Sequence, residues 1–165
     1  MTSQGPGEFQ VRRVPAKVLF ELRRRVLRGD DPGSSVQDPR DNEATTLHFA
    51  GFLDDRVVAS ASFFSARPPI NPDLVSYQLR YMAIDFDVQG RGYGAVLVDS
   101  ALTELRAQGA QQVWANARDS ALGFYQSTGW STLVGSEHVS IETQLPHTVI
   151  FMLLSGVTPL RADRG

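Results

Sequence analysis

The chain has 165 residues, a formal net charge of −2 and no cysteine. That length suits one domain with one core. The missing cysteine excludes a disulfide framework, a thiolate metal centre and a cysteine nucleophile, and the near-neutral charge supplies no global field toward nucleic acid. No apolar run approaches the ~18–20 residues of a membrane span. The opening MTSQGPGEFQ lacks the basic-then-apolar layout of a secretory signal. His48, His138 and His147 are too scattered to suggest a metal site. These features lead us to expect a soluble, cytoplasmic domain.

In chain order, Glu8–Val14 reads as a short strand. Pro15 suits the first position of a helix, and Val18, Leu19, Leu22, Val26 and Leu27 then recur at helical spacing until Gly29 and Pro32. Residues 12–28 hold Arg12, Arg13, Lys17, Arg23, Arg24, Arg25 and Arg28 against Glu21 alone. The following 30–43 segment carries Asp30, Asp31, Asp38, Asp41 and Glu43. This pairing is either a solvated helix face beside an acidic loop or a charged rim on a substrate groove. Thr45–Leu53 and Arg56–Phe64 read as a hairpin across Asp54-Asp55. SARPPINPD (65–73) is loop. Leu74–Asp85 is the longest strand candidate, with Val75, Tyr77, Leu79 and Tyr81 on one face and Gln78 and Arg80 on the other.

A glycine loop follows, then an amphipathic helix through Val98, Ala101, Leu102 and Leu105 that ends at Gly109. Gln111–Ala117 is a short strand. Asp119 or Ser120 caps a second helix ending near Gly129. Trp130–Gly135 and His147–Leu154 are closing strands around a 136–146 loop, and 155–165 is a frayed tail. The order β-α-β-β-β-loop-α-β-α-β-β implies a mixed sheet with helices on both faces.

The loop reads VQGRGYGAVLVD, with Gly90, Gly92 and Gly94 at alternate positions. A helix N-terminus offers unpaired N–H groups and the positive end of the macrodipole, and glycines before it let the backbone close around an anion such as a pyrophosphate. A Walker loop fails, because Gly94 is followed by Ala95 and Val96 rather than Lys and Ser/Thr. A dinucleotide fingerprint fails too: the acidic residue required ~20 positions later is missing.

Counted from Gln89, the stretch is Gln-x-x-Gly-x-Gly between the strand LRYMAID and the helix AVLVDSALTELRAQG. Together with NARDSALGFYQSTGW downstream, it resembles the GNAT superfamily of N-acetyltransferases over roughly residues 74–135. LRRRVLR and PHTVIFML resemble a little-characterised bacterial subgroup. That subgroup has Pro after VLR, where this chain has Gly29.

The resemblance implies a single GNAT-like α/β (α+β) domain over 1–154, with a mixed, mostly antiparallel sheet of about seven strands. It implies acetyl-CoA as cosubstrate, no metal, and direct transfer to an unidentified primary amine in a ternary complex. It further implies that Met82, Ala83 and Ile84 bind the pantetheine arm and point an N–H at the thioester oxygen. Gln89, Gly90, Arg91, Gly92, Tyr93 and Gly94 line the pyrophosphate, with Arg91 also readable as a solvated side chain and Tyr93 better read as a residue that packs or faces solvent. Asn116 would hydrogen-bond the pantetheine, its alternative being a turn or helix cap.

By the same resemblance, Tyr125 lies beside the sulfur and donates to the departing thiolate. Phe124, of the same aromatic pair, is counted among the cofactor-binding residues and suits the core better than Tyr125. The base is left open among Asp85, Glu137, His138, Glu142, His147 and water. The alternative function is a catalytically inactive CoA or acyl-CoA sensor, with a nucleic-acid binder a distant third. No nucleic-acid or membrane partner is expected, and a homodimer is left open.

Overall fold

The computed structural model describes residues 7–154, so the 155–165 tail lies outside the described residues. Contacts group the chain into two compact units. The first comprises residues up to Ala66 with Gln78–Glu104, and the second comprises Arg67–Tyr77 with residues from Leu105 onward.

In the first unit, β1 (Phe9–Arg13) pairs antiparallel with β2 (Leu47–Leu53), which pairs antiparallel with β3 (Arg56–Ser65); β4 (Ser76–Ile84) follows β3 in the order. The β2–β3 turn is the expected Asp54-Asp55, with Asp54 at φ 53°. The core takes Leu19, Leu22, Phe49, Phe63, Leu97 and Ala101. β4 departs from simple alternation. Tyr77, Gln78 and Leu79 are all buried, as befits a strand covered on both faces.

The first helix, α1 (16–27), is composite. It runs from a 3₁₀ turn (Ala16–Leu19) through one α turn (Phe20–Leu22) into a π turn (Arg23–Leu27). Gly29 ends it at φ 59°. Arg23 shares the apolar stripe of Leu19, Leu22 and Val26 and is 1% exposed. Its Nη atoms donate to Asp41 Oδ2 and Oδ1 at 3.0 and 3.2 Å, to Val36 O at 2.9 Å and to Ser62 Oγ at 2.8 Å. Ser62 Oγ lies 2.7 Å from His48 Nδ1, and His48 Nε2 donates to Asp41 O at 2.8 Å. Burial lowers the His48 pKa, which suits this neutral, one-donor, one-acceptor role.

The basic helix and the acidic loop partly neutralise each other, so the face is not wholly solvated, and Glu21 and Arg25 line a cavity together with Arg56 and Asp87. Arg24 pairs with Asp30, and Arg25 pairs with Asp85.

In the second unit, β5 (Gln112–Arg118) pairs antiparallel with β8 (Pro146–Leu153), and β8 also pairs with β6 (Ser131–Thr132) and β7 (His138–Val139). The 136–146 loop thus carries an eighth strand that sequence reading counted as loop; two residues are too few for a periodic signal. The proline-rich 67–77 segment is fastened by the buried Gln112, which donates to Ile70 O and Ser76 Oγ and accepts from Asn71 Nδ2. α2 (Tyr93–Ala107), which lies in the first unit up to Glu104, ends before Gly109, at φ 89°. α3 (Leu122–Ser127) follows a 3₁₀ turn at Asp119–Ala121.

Neither Asp119 nor Ser120 caps α3, contrary to expectation. No side chain caps it, and Asp119 Oδ1 accepts from Thr148 Oγ1 at 2.8 Å. The class is mixed α/β with a mostly antiparallel sheet, of eight strands among the described residues.

Asp38 anchors the 30–43 segment. Burial alone would raise its pKa, but Arg40 hydrogen bonds from side chain and backbone outweigh this and hold it at about 2, below the ordinary carboxylate value. A carboxylate whose folded pKa is depressed contributes stability that is complete above its unfolded pKa and lost as pH falls through the folded value. Urea unfolding between pH 4 and pH 2 should therefore show wild type losing about 2 kcal/mol more than Asp38→Asn. Parallel losses would remove Asp38 from the acid response.

Candidate active site

β4 delivers its last residues, Met82, Ala83 and Ile84, directly after an irregularity. Tyr81 has φ 57°, the left-handed region that a bulky residue seldom occupies. Ala83 is buried, while Met82 and Ile84 are half-buried. A 3₁₀ turn, Phe86–Val88, then carries the chain into the glycine loop, pinned by the buried Val88. Gln89 Nε2 folds back to donate to Ile84 O at 3.0 Å.

Gly90 and Gly92 have φ 81° and 83°, and a Cβ on either would meet nothing within 4 Å. Conformation rather than crowding therefore requires glycine there, and the space before the loop is open. α2 begins at Tyr93 and spans 15 residues. Its first-turn amides point back toward the loop, before the Val96 N–H to Gly92 O bond at 3.3 Å. Gly94 is buried and Arg91 is exposed.

Tyr93 is a packing residue. Its ring stacks on Phe9 with centroids 4.3 Å apart and planes 13° apart. Phe9 in turn lies over Gly51, where an added Cβ would fall 2.4 Å from Phe9 Cζ. The first two strands thus support the exit of the loop into the helix.

The other sequence candidates lie in the second unit. Asn116 is exposed in mid-strand between the buried Ala115 and Ala117, so it is not the turn cap considered as its alternative. Tyr125 and Phe124 exchange the places expected of them. Tyr125 is 7% exposed and Phe124 is 36% exposed. The Tyr125 ring packs edge-on against Phe124 and Trp130, with centroids 5.1 and 5.4 Å away. Burial raises its pKa to about 12. Among the described residues its hydroxyl has no hydrogen-bond partner.

Of the base candidates, Asp85 is buried, and the Arg25 hydrogen bond holds its pKa below the ordinary carboxylate value, which makes it a poor base. Glu137, His138 and Glu142 are exposed. His147 is buried, and its Nδ1 donates to Leu145 O at 2.9 Å. Nε2 is therefore the unprotonated nitrogen of the neutral ring. Antiparallel register places His147 opposite Arg118 and Val149 opposite Asn116, so His147 and Asn116 share one face of the β5–β8 pair.

Sequence reasoning missed two features. One is the burial of Arg23, which its place in the apolar stripe of α1 could have signalled. The other is the left-handed Tyr81, which no residue-type signal marks.

The model of the Acetyltransferase (GNAT) family matches residues 16–130. The chain belongs to the GNAT acetyltransferase family. It is 28% identical over 125 residues to the uncharacterized N-acetyltransferase YitI of Bacillus subtilis strain 168, covering 76% of this chain and 84% of YitI. The fold is also that of yncA from Salmonella typhimurium, solved with its cofactor acetyl-CoA. That match has a TM-score of 0.70 at 16% identity and covers 94% of this chain and 99% of the other. An aminoglycoside 6'-N-acetyltransferase complexed with coenzyme A matches with a TM-score of 0.70 at 10% identity, over 87% and 96% of the two chains. Membership places the protein among acetyltransferases. No helix among the described residues is long and apolar enough to cross a membrane.

The support beneath the loop is open to test. Gly51→Ala would drive Phe9 off Tyr93, and denaturant unfolding should show a loss of roughly 1–3 kcal/mol, the usual cost of overpacking. Unchanged stability would mean that the Phe9–Tyr93 stack adapts freely.

Proposed function

We propose that the protein transfers the acetyl group of acetyl-CoA to a primary amine directly, in a ternary complex. The observation that carries this reading is Tyr125: a tyrosine almost wholly buried, with a hydroxyl that no described protein group satisfies. The ring is packed edge-on against Phe124 and Trp130, while the hydroxyl itself is not among the buried unpartnered atoms, so it is open to an incoming ligand atom.

In this reading the pyrophosphate sits on the amides of Gln89–Gly94 at the start of α2, with Arg91 at its rim. Asn116 hydrogen-bonds the pantetheine, and Phe124 packs on it. A backbone N–H of Met82–Ile84 meets the thioester oxygen. The amine lone pair attacks the carbonyl carbon, the oxygen takes up negative charge against that N–H, and the C–S bond then breaks with its electron pair on sulfur.

Tyr125 donates a hydrogen bond to the sulfur. At a pKa of about 12 it keeps its proton throughout the working range. Full transfer to a thiolate, whose ordinary pKa is ~8.5, would be uphill, so stabilisation of the departing charge is its role. His147 Nε2 takes the proton that the amine must lose.

Thermal unfolding with acetyl-CoA, CoA, ATP and NAD in parallel tests the cofactor. Acetyl-CoA or CoA at ~100 times Kd should raise the midpoint by roughly 5–10 °C, with no rise for ATP or NAD. A rise with NAD alone, or no rise with either CoA form, would end the reading. Against a panel of amines, Tyr125→Phe should lower kcat at least tenfold while acetyl-CoA binding persists. Because the phenol stays neutral, its pH profile should keep the wild-type shape from pH 6 to 10. Binding without turnover on every amine would point instead to a CoA-sensing module.

His147→Ala should also lower kcat at least tenfold, with recovery on adding free imidazole. Full activity without imidazole would return the base to water or to another residue.

A further inference from the structure

Tyr81 is the most heavily restrained residue next to the proposed thioester-binding backbone, and it adopts the least favourable conformation in β4. A non-glycine residue in the left-handed region is disfavoured and persists only where its surroundings over-determine it. Five groups around it do so here. Tyr81 Oη donates to Asp38 Oδ2 at 3.1 Å. The guanidinium of Arg23 lies 4.2 Å from the ring centroid, and that of Arg80 lies 4.9 Å away. Phe64 meets the ring edge-on at 6.2 Å. Ser60 Oγ donates to the Tyr81 carbonyl at 3.0 Å.

Each restraint is itself fixed. Asp38 is gripped by Arg40 through Nε and Nη2, both at 3.1 Å, and by Arg80 Nη1 at 3.2 Å. Arg23 is fixed by Asp41, Ser62 and the Val36 carbonyl. Asp41 Oδ2 also accepts from Asp38 N–H at 2.9 Å, which joins the two halves of the network.

We propose that residues 36–41, through Asp38 and through Asp41-bound Arg23, form a latch that holds Tyr81 in its left-handed conformation and so aims the Met82–Ile84 backbone at the thioester. Asp38 and Arg23 are positioning residues for acetyl transfer. The inference rests on the reading of Met82–Ile84 given above. Its physical content is that the φ of one β4 residue is set by side chains more than 40 positions away, rather than by its own preference. Releasing the phenol lets Tyr81 relax toward ordinary extended geometry. That rotates the following peptides away from the direction the oxyanion requires.

The test uses Asp38→Asn, Tyr81→Phe and the double variant in the full-length protein, with folding checked by circular dichroism. Tyr81→Phe removes only the hydroxyl and guards against a failure of Asp38→Asn to fold. Hydrogen exchange of the ligand-free protein is read on the peptide covering Met82–Asp85, whose Asp85 N–H is bonded to Val58 O at 2.8 Å. It is compared with a peptide covering Phe49 and Ala50 in β2. KM for acetyl-CoA and kcat are measured separately, on an amine that wild type acetylates.

Each single variant should speed exchange at Met82–Asp85 at least fivefold relative to β2 and lower kcat/KM for acetyl-CoA about tenfold. The double variant should be no worse than the poorer single, because both substitutions break the same hydrogen bond. Folded variants with unchanged relative exchange, or with losses that multiply in the double, would overturn the latch. The exchange readout needs no ligand. If wild type failed to bind acetyl-CoA, the functional reading would fall while the exchange result still decided the latch.

Discussion

A guanidinium with 1% of its side-chain surface exposed must be neutralised where it lies, and much of the first unit is organised around meeting that demand for Arg23. Removing such a charge from water costs several kcal/mol, and only close, well-directed partners return it. Asp41 supplies both carboxylate oxygens, and Ser62 and Val36 take further N–H groups. The planar fork of arginine fits this set of acceptors, whereas a lysine ammonium would present one compact charge and leave acceptors unfilled. His48 closes the ring as a neutral imidazole between Ser62 and the Asp41 carbonyl. The stretch from Gly29 to Thr46 has no ladder of its own, yet it is ordered, because its backbone and side chains complete the coordination of a charge on α1. The same segment then reaches β4 through Asp38.

The legible parts of the molecule are those whose cause is local. Strand-forming composition marked β1 and the β2–β3 hairpin, alternation marked the existence of β4 though its burial departs from it, and Gly109 and Gly129 marked the ends of α2 and α3 through the positive φ that each adopts. The glycine loop was legible for the same reason: Gly90 and Gly92 are required by their own dihedrals. The parts misread depend on distant partners. Arg23 counts as polar by type, and nothing within one helical turn reveals the carboxylate 18 positions away that admits it to the core. Asp119 has the composition of a cap, but Thr148, brought alongside by the β5–β8 pairing, takes its carboxylate. Phe124 and Tyr125 are adjacent aromatics, and only the packing of Trp130 decides that the tyrosine turns inward.

The candidate site divides along the same line. Its cofactor half is built from backbone: loop amides, a helix start and the end of a strand. Backbone geometry is written in glycines and periodicity, so that half could be read early. Its chemical half rests on side chains whose state is set by context. The tautomer of His147 follows from one carbonyl, that of Leu145, and the raised pKa of Tyr125 follows from its burial. Neither residue type announces these conditions.

This division bears on how the acceptor is chosen. The loop and the β4 end have little freedom to vary, because Gly90 and Gly92 need glycine for their φ and Tyr81 is restrained on every side. The 30–43 and 133–146 segments are held mainly by side-chain hydrogen bonds and short strand pairs. A few substitutions there would reshape the surface without disturbing the phosphate end. Under the proposed function, binding of the cosubstrate would rest on that backbone and the choice of amine would be left to such loops. The latch between the 36–41 segment and Tyr81 is the point where the two are coupled. A change made there for the sake of an acceptor would also alter how the thioester is held.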